Sequence, residues 1–269
     1  MPERHDTTQD KNFDDLSHHF KHKIYGQLKG RIRLAVINRD LEKYVGNPNT
    51  DDTAPLNIID AGGGQGQFGL SLAAQGHPLT LCDISASMLA LAREEAKERK
   101  LTNVRFIHGP IQSLANEIDQ PADMVLCHAL LEWMTEPETA FPHINQCLKK
   151  GGILSLAFFN LNAIIYKNLL RGNYLKVESN NYVGMKGSLT PINPLAMEDV
   201  FSWCEKYGFD ILSHSGIRVF HDYIGNKTLR NSHPDAQIDM ELKFSQQEPY
   251  RSLGRYIHVV AQKRGSAEK

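Results

Sequence analysis

Apolar positions along this chain alternate between two spacings. Short, nearly continuous apolar runs close on a polar residue: Ile58-Ile59-Asp60, Leu79-Thr80-Leu81-Cys82-Asp83 and Val104-Arg105-Phe106-Ile107-His108. Met124-Val125-Leu126-Cys127-His128 and Ile153-Leu154-Ser155-Leu156 repeat the theme. Runs of this kind read as strands covered on both faces. Between them the spacing becomes helical. A short helix starts near Gly66 and ends at Gly76, and a second spans Ser85 to Lys100, capped by Ser85, with Met88, Leu89, Leu91 and Ala92 inward. A third spans Pro137 to Leu148. Phe209 to Ser215 and Tyr256 to Gln262 supply two further strands, with Trp203 and Tyr207 on the helix before them. This alternation predicts an α/β fold.

The ends read differently. Residues 1–11 are polar and loose. Phe13 to Tyr44 carries helical segments broken at Tyr25-Gly26: Phe13, Leu16 and Phe20 share one face, and Leu28, Ile32, Val36 and Leu41 fall near another. A polar linker at 46–55 leads into the first strand. Residues 161–200, with Tyr166, Tyr174 and Tyr182, interrupt the alternation and read as an insertion on the substrate side. The expected division is therefore 1–54 (helical lid and linker), 55–160 (cofactor-binding core), 161–200 (insertion) and 201–269 (the remainder of the sheet).

The densest chemical signal is Asp60-Ala61-Gly62-Gly63-Gly64-Gln65-Gly66-Gln67-Phe68-Gly69. Glycine is needed where φ is positive or where a ligand lies against bare backbone. At a strand end this run predicts a ligand seat. Gly64, Gly66 and Gly69 satisfy the G-x-G-x-x-G of dinucleotide folds. Gly62, Gly64 and Gly66 satisfy the G-x-G-x-G turn over which S-adenosylmethionine is held. Asp83, at the end of the next strand, is placed to accept both hydroxyls of a ribose in either case. The loop after the third strand, Ile111-Gln112, borders the same crevice, and His128 closes the fourth strand.

Bulk composition narrows the class. The chain has 269 residues, 41% hydrophobic and 23% charged, with a formal net charge of -1, enough apolar material for one large domain. No apolar run reaches the length of a membrane span. The N-terminus lacks a signal-peptide core. Four scattered cysteines form no C-x-x-C pair, which predicts reduced core thiols in a cytoplasmic protein and no metal site. Basic residues cluster in Lys21 to Arg33 and in Lys149 to Lys186, a local face suited to a polyanion.

Together, Asp60-x-Gly62-x-Gly64-x-Gly66, Asp83, Asp123 to Trp133, and Leu148-Lys149-Lys150-Gly151-Gly152-Ile153-Leu154 resemble the class I S-adenosylmethionine-dependent methyltransferase family. The resemblance implies a Rossmann-like, seven-stranded, mostly parallel sheet with helices on both faces and the last strand antiparallel. Other stretches sharpen it. Asn12-Phe13-Asp14-Asp15, His128-Ala129-Leu130-Leu131-Glu132-Trp133, Gly216 to Tyr223, Gln247-Glu248-Pro249-Tyr250 and Leu253 to His258 are similar to bacterial family members acting on tRNA. Those members esterify the carboxymethoxy group of 5-carboxymethoxyuridine at the wobble position, in the anticodon loop. The resemblance implies cofactor contacts at Arg33, Gly62, Gly63, Asp83, Ile111, Gln112 and His128. A carboxylate nucleophile is ionised at neutral pH, so no general base is required. Arg218, His221, Arg255 and Tyr256 are the candidates to orient it. The competing readings are a small-molecule O- or C-methyltransferase, an NAD-dependent dehydrogenase and a non-catalytic cofactor-binding module.

Overall fold

All seven predicted strands pair into one sheet. The computed structural model describes residues 9–14, 27–183 and 190–265. In chain order β1 is Ile58–Ala61, β2 Leu79–Asp83, β3 Val104–His108, β4 Ala122–His128, β5 Leu148–Phe159, β6 Phe209–Ile217 and β7 Tyr256–Lys263. Their spatial order is β3-β2-β1-β4-β5-β7-β6. Strands β3, β2, β1, β4 and β5 pair in parallel, whereas β7 runs antiparallel between β5 and β6. The order reverses beside β1, so the crevice opens over the carboxyl ends of β1 and β4, where ligands bind in open α/β sheets.

The near-continuous apolar runs follow from burial on both faces. Ile58, Met124 and Leu126 pack into one core with Leu79 and Leu81; their neighbours Ile59, Val125 and Cys127 pack into the other with Leu154 and Phe158. On the first face lie α1 (Leu28–Leu41), α2 (Gly69–Ala74) and α3 (Ala86–Glu98); α4 (Ile111–Glu117), α5 (Ala140–Cys147) and α8 (Met197–Lys206) cover the second. Between β5 and α8 stand α6 (Leu161–Leu169) and α7 (Tyr174–Glu178), within the predicted insertion. The segment between β6 and β7 carries α9 (Lys227–Arg230) and α10 (Pro234–Phe244). All four cysteines are buried and free. Among the described residues no helix is long and apolar enough to cross a membrane.

Several boundaries move. The helix after the glycine loop begins at Gly69 rather than near Gly66, because Gly66 is still in the turn with φ +73°. In α3, Leu89, Ala92 and Ala96 make the buried face and Leu91 is only half-buried, since it lies one position off that row. The predicted helix from Pro137 splits into a 3-10 turn, Pro137–Thr139, and α5, and Leu148 already belongs to β5. Tyr207 lies just beyond α8. Ser85 caps α3 as predicted, its hydroxyl accepting the Met88 N–H at 3.2 Å. In the N-terminal region Leu16, Phe20 and Tyr25-Gly26 lie outside the described residues. There α1 buries Ile32, Val36, Ile37 and Leu41.

Candidate active site

The glycine turn is built from its backbone. Gly62, Gly64 and Gly66 have φ of +68°, +56° and +73°, a region costly for side-chain-bearing residues. Gly63 is needed for space: a Cβ there would stand 2.8 Å from Asp60 Cγ and 2.9 Å from Leu81 Cγ. At Gly64 the nearest atom to a Cβ is Met88 Cε at 3.7 Å, so the turn exposes bare backbone to the crevice. Asp60 lies beneath it, and burial beside Asp83 pushes its carboxyl up to about 7. Asp83 points back at the turn. Its Oδ2 accepts the Gly64 N–H at 2.8 Å and its Oδ1 the Ser85 N–H at 2.8 Å, and burial raises its pKa. A carboxylate has about four acceptor sites, so these two bonds leave capacity for ribose hydroxyls.

Above this turn opens a cavity of about 520 Å³. It collects Arg33, Gly62, Gly63, Asp83, Ile111 and His128 from the predicted cofactor set, and Arg218, Arg255 and Tyr256 from the predicted substrate set. Two predicted residues are not in its wall. Gln112 follows Ile111 into α4 with its side chain outside the lining. His221 is 1% exposed, its Nδ1 2.9 Å from Gln237 Oε1; the sequence around it does not reveal that the ring turns inward toward α10.

The end of the cavity beyond His128 is cationic. Lys29, Lys167, Arg218 and Arg255 line it with a single carboxylate, Asp222. Asp222 Oδ2 stands 3.5 Å from Arg218 Nη2 and 3.7 Å from Arg255 Nε, pairs too long for strong hydrogen bonds. The Arg218 Nε, Arg255 Nη1 and Asp222 Oδ1 atoms are buried without a hydrogen-bond partner among the described residues. Aromatic rings hold the guanidinium groups: Arg255 lies 4.3 Å over Phe159, and Arg218 and Arg33 lie 5.4 and 5.1 Å from the centre of the Tyr256 ring. Burial, together with the neighbouring Arg255, lowers Lys167 to about 8, and burial also lowers Lys29. Burial lowers Arg255 as well. Crowded cations, held partly against their own ionisation, attract an anion.

One loop delivers Arg218 and Asp222. Arg218 has φ +60°, an uncommon conformation for a long side chain. The carboxylate of Glu241 on α10 holds it there, accepting the Val219 N–H at 2.7 Å and the His221 N–H at 2.9 Å. The sequence places Glu241 in a helix and gives no sign of this use. It also hides the inward turn of Glu132: the residue is fully buried, neither oxygen has a partner in good geometry among the described residues, and burial raises its carboxyl to about 7. The motif Asn12 to Asp15 gives no separate role to Asp14. Asp14 crosses to the start of α3, accepting hydrogen bonds from Ser85 Oγ at 2.6 Å and the Ser87 N–H at 3.1 Å. The Ser85 bond, foremost, lowers its pKa.

The methyltransferase domain family matches residues 52–207 of this chain. The chain belongs to the S-adenosylmethionine-dependent methyltransferase family. A relative in this family, the tRNA 5-carboxymethoxyuridine methyltransferase of Escherichia coli K12, is 37% identical over 97% of this chain and 99% of its own. The ubiquinone biosynthesis O-methyltransferase of Coxiella burnetii is 26% identical over 68% of this chain and 75% of its own. Among solved structures, the magnesium protoporphyrin IX methyltransferase of Synechocystis with bound S-adenosylhomocysteine has a TM-score of 0.61 at 15% identity. That match covers 93% of this chain and 96% of the other. The cofactor of this methyltransferase is S-adenosylmethionine, and its glycine turn and Asp83 have the backbone exposure and acceptor capacity that a phosphate-free nucleoside needs. Among the described residues no cluster of three His, Cys, Asp or Glu is arranged to hold a metal ion.

Proposed function

We propose that this methyltransferase esterifies the carboxylate of 5-carboxymethoxyuridine at the tRNA wobble position, giving 5-methoxycarbonylmethoxyuridine. The observation that carries this reading is the cationic end of the cavity, where buried guanidinium N–H groups of Arg218 and Arg255 lack partners among the described residues. Four cations against one carboxylate suit an anionic substrate group. The near-full-length likeness to the Escherichia coli enzyme supports a modified tRNA as its source.

When bound, S-adenosylmethionine supplies an activated methyl group. The protein's task is then alignment, because an in-line displacement needs its reactants held in register. Gly62 and Gly63 carry the cofactor on backbone, Asp83 takes its ribose, Ile111 borders its adenine, and Arg33 holds its carboxylate. Arg218 and Arg255 grip the substrate carboxylate, with Lys29 and Lys167 adding charge, while Asp222 stops the two guanidinium groups from repelling one another. Tyr256 forms the wall between the two halves. No residue is needed to take a proton from a group that is already ionised.

Lys11, Phe13 and Lys29 line the crevice, which fits an N-terminal lid, and α6 and α7 form its substrate side. There Tyr166, Tyr174 and Leu175 are exposed among Lys167, Arg171 and Lys176, a mix of stacking and basic groups that suits unstacked RNA bases. Incubating the protein with methyl-labelled cofactor and either bulk tRNA or a metabolite pool tests the reading. Label should enter tRNA and be released by mild alkali, as an ester is. Label in the metabolite pool alone would favour a small-molecule methyltransferase.

A further inference from the structure

A chain of buried side-chain hydrogen bonds crosses the sheet behind the cofactor cavity. His128 Nε2 lies 2.8 Å from Ser155 Oγ on β5, and that oxygen lies 2.9 Å from His258 Nε2 on β7. His258 Nδ1 lies 2.8 Å from Asp40 Oδ2 on α1. Ser155 and His258 are fully buried and Asp40 is 6% exposed. Arg39 closes the chain with Nε and Nη2 at 3.0 and 2.6 Å from Asp40 Oδ1; its Nη1 binds Ser245 Oγ and the Leu242 carbonyl. Only His128 touches the cavity. Its Nδ1 has no hydrogen-bond partner among the described residues.

The direction of every proton in this chain follows from its charged end. Burial alone would push the Asp40 carboxyl up, but hydrogen bonds from His258 and Arg39 outweigh it and hold the pKa below the ordinary value. An ionised carboxylate only accepts, so His258 Nδ1 carries a hydrogen. Arg39 already balances the Asp40 charge, and an imidazolium there would leave a buried excess positive charge, which is costly. A neutral His258 with hydrogen on Nδ1 offers a lone pair at Nε2. The Ser155 hydroxyl donates to that lone pair, and its oxygen then accepts from His128 Nε2–H. Burial foremost, with the Arg33 charge nearby, holds His128 neutral, well below its ordinary pKa, so it has no second proton.

We propose that Asp40, His258 and Ser155 are positioning residues that fix His128 as the Nε2–H tautomer, leaving a bare Nδ1 to the cofactor cavity as a hydrogen-bond acceptor. An acceptor on the wall that also carries Arg33 matches the ammonium of the cofactor's amino acid end, with Arg33 matching its carboxylate. This assignment rests on the cavity being the cofactor seat, and it is independent of the substrate. The same chain ties α1 to the cofactor wall through the centre of the sheet. The cores on either side of it are apolar.

Two measurements on the full-length protein test it. Nitrogen NMR of isotope-labelled histidines reads the tautomer directly. Wild-type His128 should show a protonated Nε2 and an unprotonated Nδ1, and Ser155→Ala should give a mixture; a wild-type proton on Nδ1 would overturn the proposal. Calorimetric titration with two ligands separates positioning from general damage. S-adenosylhomocysteine has the amino acid end, and 5′-methylthioadenosine lacks it. Ser155→Ala should weaken the first about tenfold, the scale of one lost hydrogen bond, and the second less than about twofold. Equal losses for both would mean that Ser155 only supports the fold. Wild-type protein that binds neither ligand would instead undermine the cofactor seat itself. If Ser155→Ala does not fold, the wild-type tautomer still decides.

Discussion

Asp222, buried between Arg218 and Arg255, sets how the cationic end of the cavity responds to mutation. Removing either guanidinium leaves its partner paired with Asp222 and takes away a donor that the proposed function aims at the substrate. Arg218→Ala and Arg255→Ala should each lower turnover on modified tRNA about 100-fold, near the 3 kcal/mol of a charge-assisted bond. Cofactor affinity, read by titration with S-adenosylhomocysteine, should stay within about twofold. Parallel losses in both would remove them from substrate orientation. Glu132 gives a prediction of a different kind. Its carboxyl rises from 4.5 to about 7 on folding, so the folded state holds a proton that the unfolded state has lost over that range. The resulting stability is complete below about pH 4.5, is lost progressively as the pH rises to about 7, and is gone above it. Asp60, also raised to about 7, adds a trend of the same sign. Glu132→Gln cannot ionise and should flatten the fall in thermal stability between pH 5 and 8, with a gain of up to about 3 kcal/mol at the alkaline end. An unchanged slope would mean that Glu132 is relieved in another way. At this scale the sequence is legible where a residue's position in an element dictates its role. Asp83 ends a strand, and Arg33 faces the crevice from α1. It is not legible where a side chain's direction depends on distant packing: His221 turns to Gln237 on α10, and Glu241 organises a loop about twenty residues earlier in the chain.

Among the elements, the turn from β1 into α2 constrains the site most tightly, and each of its glycines has a separate reason. Gly63→Ala would drive a methyl group into Asp60 and Leu81, both buried, and overpacking of that kind costs about 1–3 kcal/mol. The expected outcome is a lower melting temperature and at least tenfold weaker binding of S-adenosylhomocysteine. Gly64→Ala meets only an ordinary contact with Met88 and should lose less stability, its cost being mainly the positive φ. The reverse order in a melting series would contradict this geometry. Elements of the sheet were readable because burial on both faces writes itself as uninterrupted apolar runs, and Ile58 and Ile59 or Val125 and Leu126 divide between the two cores as that pattern requires. The short α2 was readable in kind, though not in its first residue, because Gly66 carries no pattern to separate turn from helix. Least readable was the segment between β6 and β7. Its α9 and α10 are held by polar contacts such as Gln237 to the Arg230 and Ser232 carbonyls, and polar contacts leave no periodic trace. The hydrogen-bond chain from Asp40 to His128 was equally hidden, since its members lie on four elements far apart in sequence.

In the whole molecule these parts form one device. The sheet's reversal point supplies the proposed seat for the methyl donor, and the start of β7, running against its neighbours, brings Arg255 and Tyr256 to the same rim. The loop after β6 adds Arg218 and Asp222, while α1 brings Lys29 and Arg33 from the other side. On the proposed function a donor seat and an anion site share one cavity, and that pairing makes esterification of a carboxylate the natural chemistry. Mass spectrometry of wobble nucleosides tests this most directly. Transfer RNA from cells lacking the gene would be digested before and after treatment with the purified protein and S-adenosylmethionine. The account predicts 5-carboxymethoxyuridine beforehand and its methyl ester, heavier by one methylene, afterwards. Esters already present in the untreated tRNA, or an acid that persists after treatment with active, cofactor-binding protein, would contradict it.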